Sequence, residues 1–261
     1  MHLGNITLIQ GRPVIFDGIE FNPGLRWIDT MNEVAFLLMD LREKGLPQLA
    51  WHFLNRYLQE TGDYAGLPLN DFYQAYRAMV RAKVAALSGN QESAVASYLQ
   101  QAAACTSSPP PRLIITHGLS GSGKSYTASR VADQVGAIHL RSDVERKRLA
   151  GLAALSRTDS APESGIYTRD MSVQTYQHLL QLANDILRDG YNVIVDATFL
   201  LSEQRELFQG LAEQLSIPFV ILDMQTPESL LRQRIRQRLQ QARDPSEADE
   251  KVLELQLQNR Q

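Results

Sequence analysis

Through residues 1–104 the apolar positions recur mostly at helical spacing. Two short extended runs come first, at 6–9 and 13–16, with Gly11 between them, which predicts a hairpin. Residues 27–41 then place Trp27, Ile28, Met31, Val34, Ala35, Leu38 and Leu41 on one helical face. Segments 46–58 and 72–87 repeat that spacing, bounded by Gly45-Leu46-Pro47 and Gly66-Leu67-Pro68, and 91–104 reads as an alanine-rich helix. Such stripes predict faces buried in a core. Thr106-Ser107-Ser108-Pro109-Pro110-Pro111 breaks the pattern: it has no apolar residue, and successive prolines cannot continue a helix. The grammar then changes to strand, turn, helix. Strands are predicted at 112–116, 137–140, 191–195 and 219–223, and helices at 126–135, 171–188, 203–215 and 228–241. Gly190 suits the end of the second of these helices. Alternating strands and helices predict an α/β domain with a parallel sheet. The expected organisation is a mainly helical region at 1–104, a stiff proline-rich linker at 105–111 and a parallel-sheet domain at 112–261.

Composition narrows the class without naming a function. Of 261 residues, 44% are apolar, 21% charged and 7% aromatic, which excludes a disordered, collagenous or coiled-coil chain. Lys and Arg number 26 against 29 Asp and Glu, so the net charge of -3 disfavours a nucleic-acid binder that uses the whole chain. Cys105 has no partner cysteine, in keeping with a reducing compartment. The longest apolar run, Val34 to Met39, is far short of the roughly 20 residues that span a bilayer. Residues 1–15 have no basic segment leading into an apolar one. A soluble, cytoplasmic protein without a membrane partner is expected.

Candidate chemistry concentrates after the linker. Gly118-Leu119-Ser120-Gly121-Ser122-Gly123-Lys124-Ser125 matches G-x-x-x-x-G-K-[ST] and lies between a predicted strand and a predicted helix. Glycines let successive backbone N–H groups turn inward around a phosphate, and the helix that follows points its positive end at the same anion. Gly118, Ser120, Gly121, Ser122, Gly123, Lys124, Ser125 and the adjoining Tyr126 form the candidate nucleotide-binding set. Lys124 is expected to reach the β- and γ-phosphates of ATP, and the Ser125 hydroxyl to ligate Mg²⁺.

Carboxylates and arginines extend the set. Asp143 lies just past the second predicted strand, where strand ends face the ligand crevice, so it is a candidate to accept a proton from an attacking hydroxyl. Arg146, one turn on, is a candidate to hold the acceptor. A helix N-cap followed by a solvated basic helix is the plain alternative for this stretch. Asp196 ends Val193-Ile194-Val195-Asp196-Ala197-Thr198, an apolar strand whose terminal acid suits the Mg²⁺ shell or a substrate contact, with Thr198 beside it. Arg232, Arg234, Arg236, Arg238 and Arg243 follow, suited to clamping a transferring phosphoryl group, with Arg234 and Arg238 the expected pair. Ser246 with Asp249 reads as a capping box.

On these marks residues 112–261 resemble the AAA_33-type P-loop kinases, relatives of the polynucleotide-kinase, gluconate-kinase and zeta-toxin group. The resemblance rests on the loop 118–125, on Ser142-Asp143-Val144-Glu145-Arg146-Lys147, on Val195-Asp196-Ala197-Thr198 and on the arginine-rich segment running into Ser246-Glu247-Ala248. It implies ATP and Mg²⁺ at Lys124 and Ser125, Asp143 as the base, and Arg234 or Arg238 as a lid arginine. Residues 1–104 resemble the C-terminal lobe of aminoglycoside-phosphotransferase-like kinases, on His2-Leu3-Gly4-Asn5 and Phe16-Asp17. That resemblance implies metal-holding roles for Asn5 and Asp17 and a supporting role for Glu33. The Gly-Asp that precedes this segment in the family is missing before Met1-His2, so the first half is expected to be catalytically inert. Relatives add a strand and helix after the arginine-rich segment, so the chain is expected to be a fragment or truncated at both ends.

The leading expectation is an ATP-dependent phosphotransferase acting on a small-molecule hydroxyl, with residues 151–168 looping over the acceptor. A nucleotide-binding module without catalysis is the second. A polynucleotide 5′-hydroxyl kinase is a third, using the basic segments 141–148 and 232–243. No N-K-x-D motif supports a switch GTPase.

Overall fold

Asp29, not the first apolar residue, decides where the first long helix begins. Its carboxylate accepts from the Met31 N–H at 2.8 Å, and α1 (Thr30–Glu43) starts there, leaving Trp27 and Ile28 outside it. The computed structural model describes residues 1–18, 22–89, 92–107, 109–156, 158, 165–241 and 244–258. They divide into two compact units, Met1–Leu54 with Asp63–Pro109, and Asn55–Gly62 with Pro110–Gln261.

In the first unit, β1 (Ile6–Ile9) and β2 (Arg12–Ile15) form an antiparallel hairpin that pairs Ile6 with Ile15. The two-residue turn, Gln10-Gly11, has φ of 51° and 73°, the geometry that matches strand twist. That tight turn draws the second strand one residue earlier than the apolar run suggests. After α1 come α2 (Pro47–Thr61), α3 (Leu67–Leu87) and α4 (Glu92–Ala104). Helix α3 begins five residues before the predicted start at 72, because Pro68 sits at a first-turn position where its missing N–H costs nothing. It packs between α1 and α4, where Met39, Ala78, Ala82 and Tyr98 form a buried cluster.

The second unit is built on a four-stranded parallel sheet. Its strands are β3 (Leu113–His117), β4 (Ala137–Arg141), β5 (Asn192–Asp196) and β6 (Phe219–Asp223), in the spatial order β4-β5-β3-β6. The α/β parallel-sheet expectation is met. Helices α5 (Lys124–Val135), α6 (Ser142–Leu149), α7 (Arg169–Arg188), α8 (Ser202–Leu215), α9 (Glu228–Gln241) and α10 (Glu250–Gln258) surround it. Ala128 and Ala132 of α5 are fully buried against Ile114 and Ile194, so small side chains let this helix lie close to the strands. Register aligns Ile115 of β3 with Val195 of β5 and Arg141 of β4 with Asp196, which gathers the strand ends at one edge.

Two local readings change. Helix α6 is no solvated basic helix, since Glu145, Arg146 and Lys147 are all buried. The Ser246 capping box does not form: the Ser246 N–H donates to Asp244 Oδ1, and Asp249 caps α10 by accepting from the Val252 N–H. The Asp-Pro turn at 244–245 keeps Ser246 outside the helix.

β4 is an edge strand, and edge strands leave backbone groups unpaired. Here the second half of α2 supplies partners. Asn55 Nδ2 donates to the Ala137 carbonyl at 2.9 Å, while Asn55 Oδ1 accepts from the His139 N–H at 2.7 Å. Arg148 of α6 in turn donates to the Leu58 and Gln59 carbonyls at the end of α2. Replacing Ala132 by Leu inserts three carbons into the helix–sheet contact and is expected to destabilise the protein by about 1–3 kcal/mol in urea unfolding. Wild-type stability in that variant would mean the contact is looser than its burial indicates.

Candidate active site

The loop between β3 and α5 is shaped by what lies behind it. Gly121 has φ +82°, and a Cβ there would meet the Leu231 carbonyl at 2.8 Å, so α9 leaves no room for a side chain. Gly118, at φ +138°, is similarly pressed by the Met224 carbonyl, 2.9 Å from the position of a Cβ. The Gly118 N–H is tied to the Thr198 carbonyl at 3.1 Å, which fastens the loop to the chain just past β5. Ser122 Oγ is buried and lacks a hydrogen-bond partner among the described residues. A cavity of about 420 Å³ opens beside this loop, lined in part by Gly118, Ser122, Thr226 and Leu231.

Lys124 opens α5 and is buried, its Nζ donating to the Leu119 carbonyl at 2.8 Å. Burial pushes its ammonium down to about 8, with Arg238 adding to that shift while Asp196 and Asp143 oppose it. Asp196 ends β5 at 4% exposure. Burial alone would raise its carboxyl, but His139, Arg141 and a hydrogen bond from Ser125 together hold it down at about 2. His139 Nε2 stands 3.5 Å and Arg141 Nε 3.6 Å from Asp196 Oδ2, and Arg141 also meets Asp244 at 3.2 Å. So Lys124, Ser125 and Asp196 come together as a charged cluster at the strand ends.

Asp143 lies in the first turn of α6, half-buried, and its charge reaches Lys124, Arg141, Tyr167 and Tyr176. Arg146 is buried next to it. Arg146 Nη1 donates to Ser172 Oγ at 3.1 Å, its guanidinium stacks over Tyr167 at 5.3 Å, and its Nε has no partner among the described residues. Thr198 Oγ1 is 3.5 Å from the Tyr176 hydroxyl, which also accepts from the Phe199 N–H. Phe199 is held at φ +49°, with Arg205 donating to its carbonyl at 2.7 Å, so this turn beside the site is strained and braced. Asp143, Arg146, Tyr176 and Thr198 thus form a second polar group beside the charged cluster.

Helix α9 sorts its arginines by face. Arg234 donates to the Ser122 carbonyl at 3.3 Å, and Arg238, whose buried Nε has no partner among the described residues, lies close enough to depress Lys124. Arg232 and Arg236, the alternate pair, are engaged by Glu228, Glu250 and Glu254. Arg232 with Arg236 and Arg234 with Arg238 are both four apart, and the second pair is the one beside the loop. Arg243 lies outside the described residues, as do residues 157 and 159–164 of the predicted acceptor loop.

Other expected residues stand apart. Tyr126 is 69% exposed on α5, where its hydroxyl accepts from Arg130. In the first unit Asn5 Nδ2 donates to Asp17 Oδ2 at 3.3 Å, while Glu33 pairs with the Met1 amino group and Arg77. Among the described residues no group of three His, Cys, Asp or Glu side chains is placed to hold a metal, and no helix is long and apolar enough to cross a membrane.

Several residues of the site were not singled out by motif. His139 and Arg141 are two apart on β4, so they line one face of an otherwise apolar strand, and that alternation was a readable signal. Lys147 and Glu247 lie in segments that carry the family resemblance, but they gave no signal that they pair. They meet at 2.8 Å, with Thr158 donating to the same carboxylate, so a segment past α9 is tied to α6. Gln256 of α10 also gave none, yet its Oε1 accepts the Ser120 N–H at 2.8 Å.

Residues 113–261, more than half of the chain, match the AAA_33 family, an AAA domain. The chain belongs to the AAA_33 family. Uncharacterised proteins of Mycobacterium tuberculosis and Mycobacterium bovis are 36% identical to this AAA_33 chain over 213 residues, covering 80% of it. It spans 43% of the length of those relatives. Among solved structures, the AAA_33 chain is similar to the APS kinase of Mycobacterium tuberculosis in complex with AMPPNP and APS. There the identity is 25%, with coverage of 51% of this chain and 73% of that one and a TM-score of 0.40. A kinase described as putative from Chloroflexus aurantiacus gives 23% identity, coverage of 56% and 75%, and a TM-score of 0.44.

An anion seated on the loop restores the charge that burial takes from Lys124. Binding of ATP at pH 9, above the Lys124 value of about 8, is therefore expected to take up most of one proton, and at pH 7 far less. Calorimetry in two buffers of different ionisation enthalpy reads this uptake, and equal heats at pH 9 would contradict it.

Proposed function

We propose that the AAA_33 domain transfers the γ-phosphate of ATP to a hydroxyl group of a small molecule. The observation that carries this reading is the convergence of Lys124, Ser125 and Asp196 at one strand edge, with Asp143 and Arg146 beside them. Ser125 and Asp196 offer two oxygens, the sparse protein donor set that suits Mg²⁺, which keeps waters and takes phosphate oxygens. When bound there, the ion would neutralise charge on the β- and γ-phosphates. Lys124 reaches the same phosphates from the start of α5, and Arg234 and Arg238 place positive charge where the equatorial oxygens gain it. Asp143 takes the proton from the acceptor hydroxyl, while Arg146, whose Nε has no partner among the described residues, and Thr198 orient that acceptor. In-line transfer needs little more from the protein than this positioning.

The pairing of Arg232 and Arg236 with glutamates leaves α9 less cationic than its arginine count, which favours a small acceptor over a polynucleotide. Asn5 and Asp17 supply only part of a metal site, so we assign the first unit no chemistry of its own. A second reading, nucleotide binding without transfer, is favoured by one feature: Gln256 already holds the Ser120 N–H. ADP release that depends on an added acceptor separates the two.

Removing the Lys124 ammonium (Lys124→Ala) is expected to weaken Mg·ATP binding about 10–100-fold, the worth of a charge-assisted contact. Asp143→Asn should leave that affinity within about twofold and lower acceptor-dependent turnover by about 10²–10⁴. Full turnover in either variant overturns the assignment.

A further inference from the structure

We propose that His139 is a positioning residue for Asp196, and that Asn55 and Gln59 of α2 hold it in that role. The inference rests on the reading of Asp196 and Ser125 as the Mg²⁺-facing pair. His139 is buried on β4 with Nε2 3.5 Å from Asp196 Oδ2, and Asp196 accepts the hydrogen bond from Ser125. A carboxylate fixed from behind presents its remaining lone pairs in one direction. Free to rotate, it would have to be ordered by the ion itself.

The orientation of the imidazole is dictated by α2. Gln59 Nε2 lies 3.3 Å from the His139 carbonyl, an atom that only accepts, so the amide turns its NH₂ group toward β4. The same Nε2 is 3.5 Å from His139 Nδ1. A donor facing Nδ1 makes that nitrogen the acceptor, which puts the ring proton on Nε2, the nitrogen beside Asp196. Asn55 fixes the strand itself, pairing with the His139 N–H and the Ala137 carbonyl as a neighbouring strand would. The far end of α2 is bound by Arg148, from the helix that carries Asp143 and Arg146. A histidine buried merely as packing would need no donor on one nitrogen and a carboxylate on the other. The segment Asn55–Gly62 lies more than fifty residues before the AAA_33 match begins, yet it is grouped with that domain.

The test measures the Mg²⁺ concentration that half-saturates nucleotide binding to the full chain, with ADP as probe, in His139→Phe, His139→Gln and Gln59→Met. His139→Phe is expected to raise it about 10-fold or more while ADP affinity without Mg²⁺ stays near wild type. His139→Gln, which returns an N–H near the position of Nε2, is expected to recover most of the loss. Gln59→Met should shift the value in the same direction by less, and add nothing in the His139→Phe background. Wild-type Mg²⁺ dependence in a folded His139→Phe protein overturns this inference alone. Absence of Mg²⁺ dependence in the wild type overturns the reading of Asp196 and Ser125, and this inference with it. If the phenylalanine variant fails to fold, the shift in Gln59→Met decides.

Discussion

A charged carboxylate sealed inside a protein costs several kcal/mol unless its surroundings compensate, and Asp196 is such a group. Much of the second unit follows from that constraint. β4 must bring His139 and Arg141 alongside β5, Ser125 must open α5 within reach, and Lys124 must share the same buried space. The strand order β4-β5-β3-β6 satisfies all of these at once, because β5 sits between the strand that supplies His139 and Arg141 and the strand that leads into the glycine loop. Lys124 and Asp196 are mutually dependent: each charge lowers the cost of burying the other.

Around this centre the loop is backed by other parts of the fold. Leu231 and Ile235 of α9 press on Gly121, Arg234 reaches the carbonyl of Ser122, and Leu253 of α10 packs with Leu119 in the same apolar cluster. A glycine loop backed in this way does not set its own conformation; its shape is inherited from the helices behind it. The side of the site around α6 is organised differently, by buried polar contacts. Arg146 spans Ser172 and Tyr167, and Lys147 with Glu247 ties α6 to the segment leading into α10.

The glycine loop and the four parallel strands were legible along the chain, for two separate reasons. A phosphate loop is a contiguous motif whose spacing is its mechanism. Strands buried on both faces, such as β3 and β5, read as continuous apolar runs. A helix repeats every 3.6 residues, so Arg232 with Arg236 and Arg234 with Arg238 each share a face, but only the fold shows which pair turns to the loop.

Roles that depend on partners distant in sequence were not legible. Arg141 to Lys147 reads as a charged, exposed stretch, and only the fold shows that Glu145 and Lys147 are buried, because their partners His178 and Glu247 arrive from other elements. The same holds for Gln59 and Asn55, two polar residues on an ordinary helix until β4 is laid beside them as an unpaired edge. Local geometry and periodicity are written in consecutive residues, so the sequence by itself determined the elements and the phosphate loop. Which buried charges are compensated, and by whom, is settled by long-range pairing, and only the tertiary structure decided that.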